Sequence, residues 1–367
     1  MEPHTNMFLN FNRTADRAQA VGRVWTFARL TAVGGAIISV ALVCGWAGRA
    51  KAQQQQQNPP PIILNQRVPP PPPSRNSSAV IVNVEMVALH AAITDKNGAF
   101  VKGLPPEAFH VYEDKVEQDL KIAKQEDVPV SMGLVIDNSA SMFDKRSKVN
   151  VAALTFVQTS NPQDEAFVVN FNEDYFLDTV NDFTSDITEM KDALERIQTR
   201  GSTALYDAII GSLDHLKKAH RDKRVLLVIT DGVDDASKNT LASTIEEVEH
   251  SDAVIYTVGV FGKDDKGRVE RQAKKELSEL ATATGGLALF PDSVEDTEAI
   301  CTQIAHDIRN QYTLAYYPSN KKQDGTFRAV HVEVTPPRGM GKLTVRTRTG
   351  YYAKGKFTAK PANTSGN

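Results

Sequence analysis

The sequence predicts an α/β protein. A doubly wound, mostly parallel central sheet should carry helices on both faces, flanked by a smaller β-sandwich-like domain. Three observations lead there. Four apolar runs in the middle of the chain alternate with stretches of helical periodicity. Short alternating strands lie on either side of that middle. The chain has 367 residues, enough for two domains of ordinary size. With 41% hydrophobic and 24% charged residues, it is neither wholly disordered, collagenous nor a polytopic membrane protein.

In chain order, residues 1–52 read as an export signal. Leu30 to Trp46 is the one long apolar run, 17 residues, against the roughly 20 that a spanning helix needs. Arg13, Arg17, Arg23 and Arg29 precede it, and Ala50-Lys51-Ala52 follows as an A-x-A cleavage site. The alternative is an uncleaved signal anchor, which would tether the protein to a membrane. Residues 53–78 read as a disordered Gln/Pro tether, with glutamines at 53–57 and prolines at 59–61 and 69–73. Such composition favours extended polyproline II over a packed core.

Residues 79–127 read as strands, with a turn at Asp95-Lys96-Asn97-Gly98. Residues 311–353 repeat the pattern in YTLAYYP, FRAVHVEVTP and KLTVRTRTGYY. Neither flank alone has enough strands for a stable sandwich, so the two should combine, with 128–310 inserted between them. Such an insert could turn about its two linkers. Residues 354–367 read as a disordered tail. In the centre the strand runs are 131–137, 165–171, 224–230 and 253–260. Val149, Ala152, Ala153, Phe156 and Val157 share one helical face. So do Leu205, Ala208, Ile209, Leu213 and Leu216, and Leu277, Leu280 and Ala281 suggest a third helix. Strands buried on both faces and alternating with helices mean a sheet with helices on each side.

In such sheets ligands bind beyond the carboxyl ends of the strands, and polar residues gather there. The first central strand ends in Asp137-Asn138-Ser139-Ala140-Ser141, and the third in Thr230-Asp231-Gly232. Gly201-Ser202-Thr203 opens the helix between them. Asp137, Ser139, Ser141, Thr203 and Asp231 thus form a hard-oxygen set suited to Mg²⁺, with Mn²⁺ or Ca²⁺ as substitutes. These loops hold no His or Cys, which argues against zinc. The competing reading is that the serines and aspartates are helix N-caps. Asp234 and Asp235 read as a solvated acidic turn, as does Asp144.

The order D-x-S-x-S, then Thr, then T-D-G resembles the metal-ion-dependent adhesion site of the von Willebrand factor type A family. The resemblance covers 128–310. It implies direct ligation by Ser139, Ser141 and Thr203, and ligation by Asp137 and Asp231 directly or through water. It also implies an open coordination position for an acidic residue of a protein partner. The overall layout resembles secreted bacterial proteins of the acidobacterial type that carry this domain.

Binding is therefore one function class, in which a cation bridges to a protein ligand. A second is a structural envelope module whose ion stabilises loops. The third is a metal-dependent hydrolase. Against it, the position two residues after Asp137 is Ser139, not the second acid of an aspartyl phosphatase. No G-x-S-x-G elbow or phosphate-binding P-loop is present. The protein is accordingly expected not to be an enzyme. Nucleic acid is an unsuitable partner: 42 Lys+Arg against 45 Asp+Glu give a net charge of −3, with no strong basic tract. The two cysteines, Cys44 and Cys301, exclude a disulfide framework. Cys301 reads as a buried small hydrophobe. The expected location is periplasmic, cell-surface or secreted.

Overall fold

The structure is a computed structural model and describes residues 85–196, 198–262 and 267–353. The signal, tether and tail readings lie outside the described residues. Among these residues no helix is long and apolar enough to cross a membrane.

The amino-terminal flank forms β1 (Val87–Thr94), β2 (Phe109–Glu113), β3 (Val116–Gln118) and β4 (Leu120–Gln125). The centre forms β5 (Val130–Asp137), α1 (Arg146–Gln158), β6 (Glu165–Phe171), β7 (Tyr175–Leu177), α2 (Ile187–Glu195) and α3 (Leu205–Leu216). It continues through β8 (Lys223–Thr230), α4 (Leu241–His250), β9 (Ala253–Gly259), α5 (Arg268–Ala283), β10 (Ala288–Leu289) and α6 (Thr297–Arg309). The carboxyl-terminal flank adds β11 (Tyr312–Tyr316), β12 (Phe327–Val334), β13 (Thr344–Arg346) and β14 (Gly350–Tyr352).

The central sheet has the order β10-β9-β8-β5-β6-β7. Every pairing is parallel except that of β7, which runs antiparallel to β6. β5 is buried along its whole length because helices cover both of its faces. One face packs Met132, Leu134 and Ile136 against α1, α2 and α6, where Phe156, Met190, Cys301 and Ile304 are fully buried. The other face packs Val135, Phe167 and Leu226 against α3, α4 and α5 through Ile209, Val248 and Leu280. Cys301 is thus a core residue, and burial pushes its thiol up to about 12.

β5 leads into α1 on one face, while its neighbour β8 leads into α4 on the other. The strand ends between these two helices mark the switch point at which such sheets bind ligands.

The flanks do combine. One four-stranded antiparallel sheet has the order β13-β1-β11-β4 and the other β14-β12-β2-β3, so each mixes strands from both ends of the chain. Leu89, Ile93 and Leu314 of the first share a core with Val111, Val330 and Val332 of the second. Phe109 and Tyr312 join across it with ring centroids 4.9 Å apart. Inside the sandwich, Arg328 and Glu113 pair at 3.1 Å, each 2% exposed. Tyr316 and Tyr351 donate to the same carboxylate. These tyrosines therefore satisfy a buried charge as well as filling space.

Candidate functional site

The site is assembled from four loops tied by backbone bonds. Beyond β5, the Asn138 amide donates to the Phe171 carbonyl at the end of β6. The Ala140 amide donates to Gly201, and Arg200 donates back to Asn138. The Ala204 amide donates to Asn172. Gly201 has φ of +75°, and the Glu173 carboxylate occupies the space a Cβ there would need. The positive φ is what glycine adopts at low cost.

Within this frame Asp137 is fully buried. Its Oδ1 accepts the Ser139 amide at 2.7 Å and its Oδ2 accepts the Thr230 hydroxyl at 2.5 Å. Burial pushes the carboxyl up to about 6. The bonds from Thr230 and Ser139 oppose that rise, and the charge of Asp231 adds to it. The Ser139 and Ser141 hydroxyls are 3.1 Å apart, and Ser141 Oγ donates to Asp231 Oδ1 at 2.7 Å. Thr203 is buried, with its Oγ1 beside Gly232; a Cβ there would lie 3.7 Å from it. Asp137, Ser139, Ser141 and Asp231 thus form one run of contacts, and Thr203 joins it from the side of the T-D-G loop.

Sequence reasoning missed three features of this region. First, Lys145 Nζ donates to Asp231 Oδ2 at 2.6 Å. Second, a polar layer underlies the loop. The buried Arg146 donates to Asn138 Oδ1 at 2.6 Å, Asn170 Oδ1 at 2.7 Å and the Leu194 carbonyl at 2.8 Å. Asn170 in turn donates to Asp178 and to Ala193. Burial brings the Arg146 guanidinium down to about 10, against the pull of Asp137 and Asp178. Third, Asp234 and Asp235 are not simply solvated. Asp235 accepts the Thr203 amide at 2.7 Å, and Asp234 accepts the Tyr206 amide at 3.0 Å. Asp234 thereby caps α3, whose N-cap residue Ala204 supplies no side-chain bond, while Asp235 holds the Thr203 amide just ahead of the helix. Asp144 is exposed, as expected.

The donor chemistry fits a hard cation. The set comprises two carboxylates and three hydroxyls, with no nitrogen or sulfur ligand among them. Among the described residues no group of three or more His, Cys, Asp or Glu could hold a metal ion. Any ion here would therefore depend on the hydroxyls and on water, a mixed set of the kind Mg²⁺ accepts.

Residues 132–233 match the family model of the von Willebrand factor type A domain. Among solved structures, the chain is similar to BatB, a conserved hypothetical protein from Bacteroides thetaiotaomicron. Identity is 18%, covering 49% of this chain and 98% of that one, with a TM-score of 0.40. It is similar to a von Willebrand factor type A protein from Catenulispora acidiphila at 13% identity, covering 66% and 73%, with a TM-score of 0.45. The vWF domain of the type V pili tip protein Mfa5 from Porphyromonas gingivalis aligns at 12% identity, covering 50% and 95%, with a TM-score of 0.42. No curated protein matches.

Proposed function

Because the centre of this chain carries a von Willebrand factor type A domain, we propose that the protein is an exported, divalent-cation-dependent interaction module. Asp137, Ser139, Ser141, Thr203 and Asp231 hold Mg²⁺, or Mn²⁺ or Ca²⁺ in its place. When bound, the ion supplies a hard positive centre that accepts a carboxylate from a protein partner. The observation that carries this reading is the run from Ser139 through Ser141 to Asp231, at 3.1 and 2.7 Å, beside Asp137. It lies at the switch point of the sheet, where β5 and β8 lead to helices on opposite faces.

Helix capping alone does not account for the run. Ser139 and Ser141 make no cap bond to the short 3-10 turn at Ala140–Met142, and α1 has no side-chain cap. Binding of this kind requires neither a nucleophile nor a general base.

Mg²⁺ titration calorimetry on the full chain tests the proposal, with Asp137→Ala and Thr203→Ala beside the wild type. Saturable one-site binding is expected in the wild type, weakened at least about tenfold in both variants, a change of about 1.4 kcal/mol or more. Absence of binding by a folded wild type would overturn it.

A further inference from the structure

Lys145 occupies an electrostatically unfavourable position in its own helix. It is the N-cap residue of α1, followed by Arg146 and Lys148, with no acidic residue in the first turn. The amino end of a helix carries a partial positive charge that disfavours cations. Helix preference therefore does not explain a lysine here. The site does. Lys145 Nζ lies 2.6 Å from Asp231 Oδ2, and the Lys145 side chain is 16% exposed against 1% for Asp231. Asp231 Oδ1 accepts from Ser141. Both oxygens of this carboxylate are thus bonded, one of them to a full positive charge.

A second charge lies nearby. The Asp137 carboxyl is buried and feels the field of Asp231. Two such carboxylates without a countercharge would strain the loops, because an uncompensated buried charge is costly. An ammonium on a flexible four-carbon stem can compensate Asp231 and can also swing away without moving the backbone.

We propose that Lys145 is the resident cation of the site: it neutralises Asp231 in the metal-free protein and leaves that carboxylate when a divalent cation binds. This inference rests on the cation reading above and adds its regulation. The pair sets the affinity, since its rupture is part of the cost of loading. It also keeps the loops assembled without metal, so the module is formed before it is loaded.

The test uses the full chain, with Mg²⁺ alone as the probe and two readouts. The first is calorimetry on Lys145→Met, which keeps the length of the stem and removes the charge. Mg²⁺ is expected to bind about tenfold more tightly than in the wild type, equivalent to about 1.4 kcal/mol. The second is amine acylation of the wild type followed by peptide mass spectrometry. Lys145 should react slowly without Mg²⁺ and several-fold faster at saturation, while Lys148 stays constant. Tighter binding by Lys145→Met without a change in acylation would mean simple charge repulsion and would overturn displacement. Equal or weaker binding by the variant would also overturn it. If neither protein binds Mg²⁺, the cation reading itself fails and the inference falls with it.

Discussion

Asn138 is the residue that the motif leaves as a spacer, between the carboxylate and the first hydroxyl. In the fold it is the joint between the loop and the polar layer below. Its Nδ2 donates to the Ile136 carbonyl and to Asn170 Oδ1, and its Oδ1 accepts from Arg146. Replacing Arg146 by Met would strand Asn138, Asn170 and the Leu194 carbonyl, all of which accept from it. A buried polar group left without its partner costs about 1–3 kcal/mol, and rupture of a buried charged network costs about 3–5. Arg146→Met should therefore lose about 3 kcal/mol in denaturant unfolding, read as a lower midpoint at unchanged slope. Arg146→Lys should regain only part of that, because an ammonium lacks the planar fork that reaches three acceptors. None of this was legible in the sequence. A charged residue in the first turn of a helix looks like any solvated one until the fold buries it.

At the scale of the element, legibility followed burial. The runs read as β5, β6, β8 and β9 were found within a residue at each end, because strands buried on both faces are continuously apolar. β7 escaped notice: it has three residues, all exposed, and pairs only with β6. β10 has two residues. The β2–β3 turn uses Asp114 and Lys115 at positive φ, where glycine or asparagine would have announced it. The Asp95 turn was legible because its aspartate, asparagine and glycine are turn residues. Asp95 accepts the amides of Asn97 and Ala99, and Gly98 has φ of +81°. The D-x-S-x-S segment stood out because Asp137, Ser139 and Ser141 are close in sequence. The cap of α3 did not, because Asp234 stands 28 residues from the amide it satisfies. That bond has a measurable worth. Asp234→Ala should cost about 1 kcal/mol, the usual value of a lost helix cap. Amide exchange at Tyr206 should quicken while that in β5 falls only by the global loss. Equal protection at Tyr206 in variant and wild type would mean that the helix finds another acceptor.

For the whole molecule, the inserted centre does not rest on two bare linkers. Asp307 of α6 accepts from Tyr256 of β9 at 2.6 Å and from Arg346 of β13 at 2.5 Å. Arg309 bonds Asp127 and the Val128 carbonyl at the entry to the centre, and also Asp164. Arg348 donates to the carbonyls of Glu249 and Ser251 at the end of α4, and Tyr352 stacks on His250 with centroids 3.8 Å apart. Gly285, at φ of +79°, lets the Thr347 backbone approach where a Cβ would lie 2.4 Å from it. Turning about the linkers would require breaking several of these contacts together.

The same seam makes stability depend on pH. His90 of β1 lies there in a small cavity with Asp252, Thr284 and Arg348, and its Nδ1 is buried without a hydrogen-bond partner. Burial, with the charges of Lys223 and Arg348, holds its pKa down at about 3, against an ordinary 6.5. Above pH 6.5 the imidazole is neutral in both folded and unfolded chains and contributes no slope. Between 6.5 and 3 only the unfolded chain takes up the proton, so stability falls as pH falls, by about 1.4 kcal/mol per unit well inside that window. Lys223, brought down to about 8 chiefly by burial, titrates higher and leaves this window untouched. Carboxylates throughout the protein also respond to acid, so the comparison must be with a variant. His90→Gln keeps a polar side chain and removes the proton site. From pH 6.5 to 5 the wild type should lose up to about 2 kcal/mol more than the variant in denaturant unfolding, the product of that slope and the pH interval. Parallel losses in the two proteins would show that His90 takes up its proton in the folded state and that the seam opens to admit it.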